Sequence, residues 1–307
     1  MITVGFDTSN YTTSVAFFDG RSVVNSSRLL DVKPGELGLR QSDAVFAHVK
    51  RLPELAHKLF DNQDLSSIRA IGVSTRPRAV EGSYMPCFLA GISAAETMAA
   101  AIHVPCYEFS HQQGHIAAAL WSAKRMDLME QPHLAWHLSG GTTELLLVEP
   151  EGRNVKATVI GGSSDISAGQ VVDRTGKLLS LQFPAGKALD TLSSQVEKPE
   201  FFKVKTKDLH FSLSGVENKV TAFSQNHEAE ETAAYAMRSV VDVIFRTTME
   251  ARKQYPGLPM VFSGGVASNS MLRKHCEAFD CVFAEPALST DNAAGIAVLA
   301  WLQEERL

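Results

Sequence analysis

Residues 2–18 read ITVGFDTSNYTTSVAFF, with two apolar runs on either side of a polar turn. Short apolar runs bounded by Ser, Thr and Asn predict two strands joined as a hairpin. The pattern returns 130 positions later, where residues 134–148 read LAWHLSGGTTELLLV. The matches at this offset pair Ser9, Thr12, Thr13 and Val15 with Ser139, Thr142, Thr143 and Leu145. The sequence therefore indicates an internal duplication.

The same series of elements follows each predicted hairpin: an amphipathic helix, a buried strand and a second helix. The predicted ranges are 42–60, 68–74 and about 91–101 in the first copy, and about 231–254, 259–263 and 270–278 in the second. Alternating strands and helices predict an α/β fold, here two similar lobes with mixed sheets and a cleft between them.

The length of 307 residues allows two such domains. We expect an N-terminal lobe over residues 1–108 and a C-terminal lobe over 109–290 that carries an insert at about 161–225. The C-terminal helix, 291–307, is expected to pack back on the first lobe.

Composition narrows the class of protein. Hydrophobic residues make up 45% of the chain and charged residues 21%, which is typical of a globular protein and not of a disordered one. With a net charge of −5, a nucleic-acid partner would have to meet a local basic patch or one supplied by another subunit. Four cysteines without a C-x-x-C pair, no signal peptide and no apolar run long enough to cross a bilayer predict a cytoplasmic protein without membrane contact.

A histidine motif follows the predicted strand at 104–109: residues 110–116 read SHQQGHI. If these residues begin a helix, His111 and His115 lie on one face, close enough to share a metal ion. Two imidazoles leave coordination positions open, so a further protein donor is needed, and Asp291 is the best candidate. A structural or surface role explains such a pair about equally well.

Three turns rich in Ser, Thr or Gly stand at predicted strand ends: the hairpin turns at 7–13 and 139–143 and the segment 263–269, which precedes a helix. Backbone N–H groups in such turns, and the N-terminus of a helix, favour a bound anion. A single glycine pair is usually an ordinary turn, but three turns in a duplicated fold favour nucleotide binding.

The insert contributes two further features. Asp165 is expected to cap a helix that carries Asp173 two turns along, although a lone helical Asp is usually a solvated surface group. Residues 201–207, FFKVKTK, alternate lysine with other residues, which predicts the wet face of an edge strand and, as a less favoured alternative, contact with a phosphate backbone.

Taken together, the motifs resemble the TsaD family, also called the Gcp or glycoprotease-like family, of the actin-like ATPase superfamily. The motifs that carry the resemblance are HQQGH at 111–115, SGG at 139–141, residues 169–173, GGVASN at 264–269 with Leu272 and Arg273, and DNAA at 291–294. The resemblance implies two duplicated ribonuclease-H-like lobes. It also implies a metal-dependent transferase that moves a threonylcarbamoyl group from its mixed anhydride with AMP to the exocyclic amine of the adenosine beside the anticodon.

The resemblance assigns roles to particular residues. One divalent metal ion, iron or zinc, is implied at His111, His115 and Asp291. An adenine nucleotide, either threonylcarbamoyl-AMP or an ATP-like ligand, is implied at His137, Leu138, Ser139, Gly140, Gly141, Asp173, Gly186 and Asn269. The implied partners are transfer RNA, met through a local basic patch, and a TsaB-like protein or a second copy of the chain.

Several residues depart from the family pattern. Tyr11 and Thr12 stand where adjacent acidic residues are usual, and Thr142 stands where a histidine is expected. Residues 76–78, RPR, replace Gly-Pro-Gly, while Ile166 and Gln170 replace common acids. Because lost carboxylates remove candidate proton acceptors, no catalytic base is assigned.

These departures leave three functions open. The first is the threonylcarbamoyl transferase itself, and the second is a carbamoyl transferase with a different acceptor. The third is a non-catalytic paralogue that binds nucleotide and metal and acts as a partner subunit. A protease ranks last, because the histidine motif lacks the glutamate that a zinc protease uses as general base.

Overall fold

The computed structural model describes residues 1–9, 11–31, 39–61, 64–289 and 293–305. The first elements along the chain are β1 Ile2–Thr8, β2 Thr12–Phe18, β3 Val23–Leu29, α1 Gln41–Phe60, β4 Ile68–Arg76, α2 Phe88–Ile102, β5 Cys106–Ser110 and α3 His111–Ser122. They are followed by β6 His133–Leu138, β7 Thr143–Glu151, β8 Asn154–Ser163, α4 Ala168–Leu178, α5 Gly186–Ser193, β9 Thr206–Lys207, β10 His210–Phe211 and α6 Ser214–Phe223. The last are α7 Ala229–Gln254, β11 Met260–Ser263, α8 Ser270–Cys276, β12 Cys281–Phe283, α9 Pro286–Ser289 and α10 Ala294–Glu304.

The described residues form two compact units. The first contains Met1–Gln131, Glu149–Ala157 and the described part of Asp291–Leu307, and the second contains Pro132–Val148 and the described part of Thr158–Thr290. Residues 109–131 thus belong to the first unit, whereas the sequence places a lobe boundary at residue 108. That boundary stays a prediction.

The two sheets repeat one strand order, which confirms the predicted α/β class. The first sheet runs β3-β2-β1-β4-β5, and the larger sheet contains the equivalent series β8-β7-β6-β11-β12, extended by β10 and β9. In both, a hairpin strand pairs in parallel with a later strand: β1 with β4, and β6 with β11.

The hairpins match in register as well. The innermost pair is Thr8 with Thr13 in the first hairpin and Leu138 with Thr143 in the second, so both pairs are related by the same offset of 130. The repeat read from the sequence is therefore a repeat in pairing geometry.

Each sheet has its own core. In the first unit, apolar side chains of β1, β2 and β4 pack against α1 and α2. In the second unit, the core contains Trp136, which is fully buried and whose indole N–H donates to Thr248 Oγ1 at 2.8 Å. The hydrogen bond satisfies the polar end of a ring that otherwise contributes only apolar surface.

The C-terminal helix α10 packs on β1, β4 and α3 of the first unit. The closest approach is at Gly295, where a methyl group would lie 1.8 Å from the carbonyl oxygen of Gly114. Gly114 belongs to the histidine motif, and the motif thus contributes a helix contact as well as two imidazoles.

In the described part of the chain, no helix combines the length and the apolar character that crossing a lipid bilayer requires.

Candidate functional site

The histidine motif begins helix α3, as predicted. Ser110 is the N-cap, and its side chain forms a capping box with Gln113 that satisfies N–H groups at the helix start. The four-residue spacing places the rings of His111 and His115 against each other, with centroids 4.4 Å apart and planes at 81°. Their Nε2 atoms are 3.0 Å apart, and His115 is buried.

A buried carboxylate at the end of β1 orients this pair. Asp7 Oδ2 lies 2.7 Å from Nδ1 of His111, and Asp7 Oδ1 accepts a hydrogen bond from the backbone N–H of Ser9 at 2.9 Å. A proton on Nδ1 of His111 that is held by the carboxylate leaves the lone pair of His111 on Nε2, which faces His115. Asp7 was not identified from the sequence, although an acidic residue directly after an apolar run was the available signal.

This arrangement fits a metal ion. Two nitrogen ligands bound about 2.0–2.1 Å from one ion lie roughly 3 Å apart, which is the separation of the two Nε2 atoms. A carboxylate on the remote nitrogen of a ligating histidine is also the usual outer support of such a site.

The third predicted ligand, Asp291, lies outside the described residues. Within the described ranges, no group of three His, Cys, Asp or Glu side chains is placed to hold an ion. Of the three predicted ligands, the described structure therefore brings two together, His111 and His115.

A second buried histidine supports the first hairpin. His48 on α1 is fully buried, and its Nδ1 lies 2.8 Å from Thr13 Oγ1. Burial lowers the pKa of His48 to about 4, and the nearby charge of Asp7 opposes only part of that shift. His48 is therefore neutral near pH 7.

The Arg-Pro-Arg turn lies beside the histidine motif. Arg76 pairs with Ser110 across the β4 and β5 strands, and the backbone N–H of Gln112 donates to the carbonyl of Pro77 at 3.0 Å. The substitution of the family's Gly-Pro-Gly thus falls next to the helix end that carries His111.

In the second unit, the predicted nucleotide turn is a tight hairpin. The backbone N–H of Ser139 donates to the Thr142 carbonyl at 2.8 Å, and the Thr142 N–H donates to Ser139 Oγ at 3.1 Å. Gly140 and Gly141 have open space at their β positions. The side chain of Leu138 is buried in the core, so only its backbone is available to a ligand. His137 is buried as well.

The N-terminus of α4 is joined to this turn. Ser167 is the N-cap of α4, and its hydroxyl donates to the Gly140 carbonyl at 2.6 Å. The backbone N–H of Ala168 donates to Thr143 Oγ1 at 2.7 Å. The turn and the helix start therefore form one structure, with the positive end of the helix dipole beside the glycines.

The prediction that Asp165 caps α4 is wrong, because Ser167 fills that place in a capping box with Gln170. Asp165 instead accepts hydrogen bonds from the backbone N–H groups of Ile166 and Leu213 and from the Ser212 hydroxyl. Burial alone would raise the pKa of Asp165, but these bonds outweigh it and hold the pKa below its usual range. Asp165 therefore has a structural role: it joins the segment before α4 to the segment before α6.

Asp173 and Gly186 are neighbours in space. Asp173 Oδ1 accepts the backbone N–H of Ala185 at 3.0 Å, next to Gly186 at the start of α5. Burial raises the pKa of Asp173, and the hydrogen bond from Ala185 lowers it in part. Asp173 is thus a half-buried carboxylate and not a solvated surface group.

Asn269 is held from both ends. Its Oδ1 caps α8 by accepting the Leu272 N–H at 2.8 Å, and its Nδ2 donates to Asp190 at 2.5 Å. Asp190 also accepts the Ser270 hydroxyl at 3.0 Å. Asp190, on α5, was not identified from the sequence, because nothing local marks it as different from a solvated helical acid.

Solved structures of other proteins are similar to this one over almost the whole chain. The HypF protein of T. kodakarensis has a TM-score of 0.61 at 14% identity, and the alignment covers 99% of this chain and 48% of that one. The activator of the 2-hydroxyisocaproyl-CoA dehydratase from Clostridium difficile has a TM-score of 0.56 at 15% identity, with 100% and 97% of the two chains covered. The protein therefore has the actin-like ATPase fold, built from ribonuclease-H-like units.

Sequence similarity defines the family. The family described as TsaD, tRNA N6-adenosine threonylcarbamoyltransferase, matches residues 24–298. A protein of that name from Syntrophus aciditrophicus (strain SB) is 32% identical over 321 residues, which cover 97% of this chain and 91% of the relative. The chain belongs to the TsaD family, and the resemblance drawn from its motifs is confirmed.

Proposed function

We propose that the protein transfers a threonylcarbamoyl group from threonylcarbamoyl-AMP to the exocyclic amine of the adenosine beside the anticodon of a transfer RNA. The observation that carries this proposal is the convergence of two imidazole Nε2 atoms beside a buried carboxylate, in a chain of the TsaD family. The arrangement supports a metal centre at this position despite the departures elsewhere in the sequence.

In the proposed reaction, the amine nitrogen of adenosine bonds to the carbamoyl carbon. The bond from that carbon to the phosphate oxygen breaks, and AMP leaves with the electron pair. A proton is lost from the amine. The chain must therefore hold the donor by its adenylate end and orient the carbonyl towards the amine.

His111, His115 and Asp291 are the residues that we propose to hold one divalent ion. Such an ion, iron or zinc, supplies Lewis-acid polarisation of the carbamoyl oxygen. Asp7 orients His111, and Ser110 fixes the start of the helix that carries both imidazoles. Support for Asp291 comes from its sequence neighbours, since Ala293 is buried and Gly295 packs against Gly114, between the two histidines in sequence.

The adenylate is proposed to bind the second unit. The backbone of residues 137–141, with the start of α4 beside it, offers N–H groups and a helix dipole to the phosphate. Asp173 would accept hydrogen bonds from the ribose, Gly186 would leave room, and Asn269 would contribute the second N–H of its amide, since the first donates to Asp190. Asp190 positions Asn269.

The partners and location are proposals of the same kind. We propose a cytoplasmic enzyme that works with a TsaB-like subunit or as a homodimer and meets transfer RNA through a local basic patch.

Reconstitution tests the function. The purified protein, a donor-forming synthase, partner subunits and unmodified transfer RNA are incubated, and the nucleosides are measured by mass spectrometry. We expect threonylcarbamoyladenosine, and we expect its loss in His111→Ala at unchanged thermal stability. No product from metal-loaded protein would reject the proposal, and transfer to a small molecule without transfer RNA would support a different acceptor.

A further inference from the structure

Residues 201–207 cross the surface of the second unit and end at the edge strand β9. The segment is fixed to α7 by two hydrogen bonds. The Phe202 N–H donates to Ser239 Oγ at 2.9 Å, and Arg246 donates to the carbonyl of Val204 at 2.6 Å. The segment is therefore a defined surface.

The side chains of residues 202–205 alternate between the core and solvent. Val204 is buried and Phe202 half-buried, whereas Lys203, Lys205 and Lys207 are exposed. Alternate residues of an extended chain are about 6.6–6.8 Å apart, and the three exposed lysines stand at alternate positions of this segment.

The row is positive in a chain that is negative overall. Residues 198–219 carry five lysines and three acidic residues, against a net charge of −5 for the chain, whereas Glu228, Glu230 and Glu231 follow soon afterwards. Of the acidic residues, Glu217 pairs with Arg174. Among the described residues, no carboxylate lies within ion-pair distance of any lysine in the row.

Aromatic rings continue the row along α6 and α7. Lys219 Nζ lies 5.8 Å from the centre of the Phe202 ring. The Ser239 hydroxyl that accepts the Phe202 N–H donates to the Tyr235 carbonyl. Tyr235 stacks on Phe223 at 4.2 Å, and Phe223 stacks on His227 at 3.6 Å with an angle of 8°. His227 is exposed and ends the stack. We call the surface formed by Lys203, Lys205, Lys207, Lys219, Phe223 and His227 the lysine–aromatic strip.

We propose that the lysine–aromatic strip binds a single-stranded segment of the transfer RNA, with the lysines on phosphates and a base stacked on His227. A row of cations beside a ring at the end of a stack is the combination by which proteins hold single strands. This inference rests on the proposed function for the identity of the RNA, and it adds where on this chain the RNA binds.

The first test removes the charges. The variant Lys203→Gln/Lys205→Gln/Lys207→Gln is compared with Lys50→Gln/Lys58→Gln/Lys124→Gln, which loses the same charge from exposed positions of the first unit. Binding of fluorescently labelled unmodified transfer RNA is measured by anisotropy at several salt concentrations. We expect the strip variant to bind at least tenfold more weakly and its log–log salt slope to fall by about 2, at about 0.7 per lost phosphate contact. The control should change much less.

The second test concerns stacking. His227→Ala should weaken RNA binding about 5- to 100-fold with little change in salt slope, and His227→Phe should restore it. Ultraviolet crosslinking should place RNA on peptides containing residues 201–207 and His227. All these residues are on the surface, so unfolding midpoints should match that of the unsubstituted protein.

Equal RNA binding by the strip and control variants, or crosslinks confined to other peptides, would overturn the inference. Unchanged RNA binding with lost association to a partner subunit would overturn it too, in favour of a protein-binding surface. Product formation, measured in parallel, separates the two proposals. If product forms but RNA binding does not depend on the lysine–aromatic strip, the proposed function is supported and the inference about the strip fails. If RNA binding depends on the strip but no product forms, the strip is supported as an RNA-binding surface and the proposed function fails.

Discussion

Asp7 and His111 are separated by 104 positions, yet they form the contact on which the histidine pair depends. The sequence identified both histidines because their spacing is local to one helix. It could not identify Asp7, since that contact exists only after β1 and α3 pack in one unit. At the scale of residues, spacing within an element was predictable and contacts between elements were not.

Replacing Asp7 by Asn tests its role. One end of the amide is a donor, so Asn cannot accept both the Ser9 N–H and the His111 N–H as the carboxylate does. We expect affinity for a divalent ion to fall about 10- to 100-fold. Competition titration with a chromophoric chelator measures this, with the exposed Asp43→Asn as control. Equal affinity in both variants would show that Asp7 does not support the site.

His48 gives a pH dependence to stability. Its pKa is about 4 in the folded state, against the usual 6.5 for an exposed histidine. Above pH 6.5 the group is neutral in both states and contributes no slope. Between pH 6.5 and 4 only the unfolded chain binds the proton. As the pH falls through this range, the protonation of His48 therefore decreases the free energy of unfolding by up to about 1.4 kcal/mol per pH unit.

Urea unfolding at several pH values between 7.5 and 4.5 measures that slope. The His48→Gln variant, which keeps a polar partner for Thr13, should lose this component and show a shallower decline. If the variant and the unsubstituted protein decline equally, His48 is not the group responsible.

At the scale of elements, α10 depends on a close approach to α3. A methyl group at Gly295 would meet the backbone of Gly114, which cannot move aside as a side chain could. This contact explains the glycine at position 295, whereas a methyl group at Gly114 itself would lie 2.8 Å from the side-chain Cδ1 of Ile296.

Gly295→Ala should therefore destabilise the protein by at least about 1–3 kcal/mol through overpacking. The matched control is Gly215→Ala in α6, where the nearest atom to the added methyl is Phe202 Cε1 at 3.8 Å. Thermal and urea unfolding give the difference. Similar stability of the two variants would contradict the account of this contact.

Helix α4 and the glycine turn form the other critical contact. A methyl group at Gly169 would lie 2.4 Å from the carbonyl oxygen of Ser139 and 2.5 Å from Gly140 Cα. We expect Gly169→Ala to displace the turn and weaken binding of an adenine nucleotide at least tenfold. Isothermal titration calorimetry measures the affinity, and an unchanged value would remove the turn from the proposed nucleotide site.

Elements with strong patterns were predictable from the sequence. Both hairpins and helices α1 and α7 lie close to their predicted positions, because their apolar residues follow one period over many positions. Strand β3 was missed, since VVNSSRL is mostly exposed and carries little apolar signal. The cap of α4 was misassigned because Asp165 and Ser167 are both good caps, and only the contacts with Leu213 and Ser212 decide between them.

At the scale of the whole molecule, two units share one strand order and one hairpin register, and three of the departures from the family, Tyr11, Thr12 and Thr142, lie at the two hairpin turns. Thr12 is buried on β2, and Thr142 closes the second hairpin. Gln170 completes the capping box of α4. These residues have structural roles in this chain, so the framework of the family is kept although the side chains at these positions differ.

We propose above all that His111 and His115 hold one metal ion. Anomalous X-ray diffraction from crystals grown with iron or zinc, recorded on both sides of the absorption edge of that metal, tests it directly. We expect one anomalous peak within bonding distance of Nε2 of both histidines. A peak bonded to neither histidine, or no peak in protein shown to contain the metal, would contradict it.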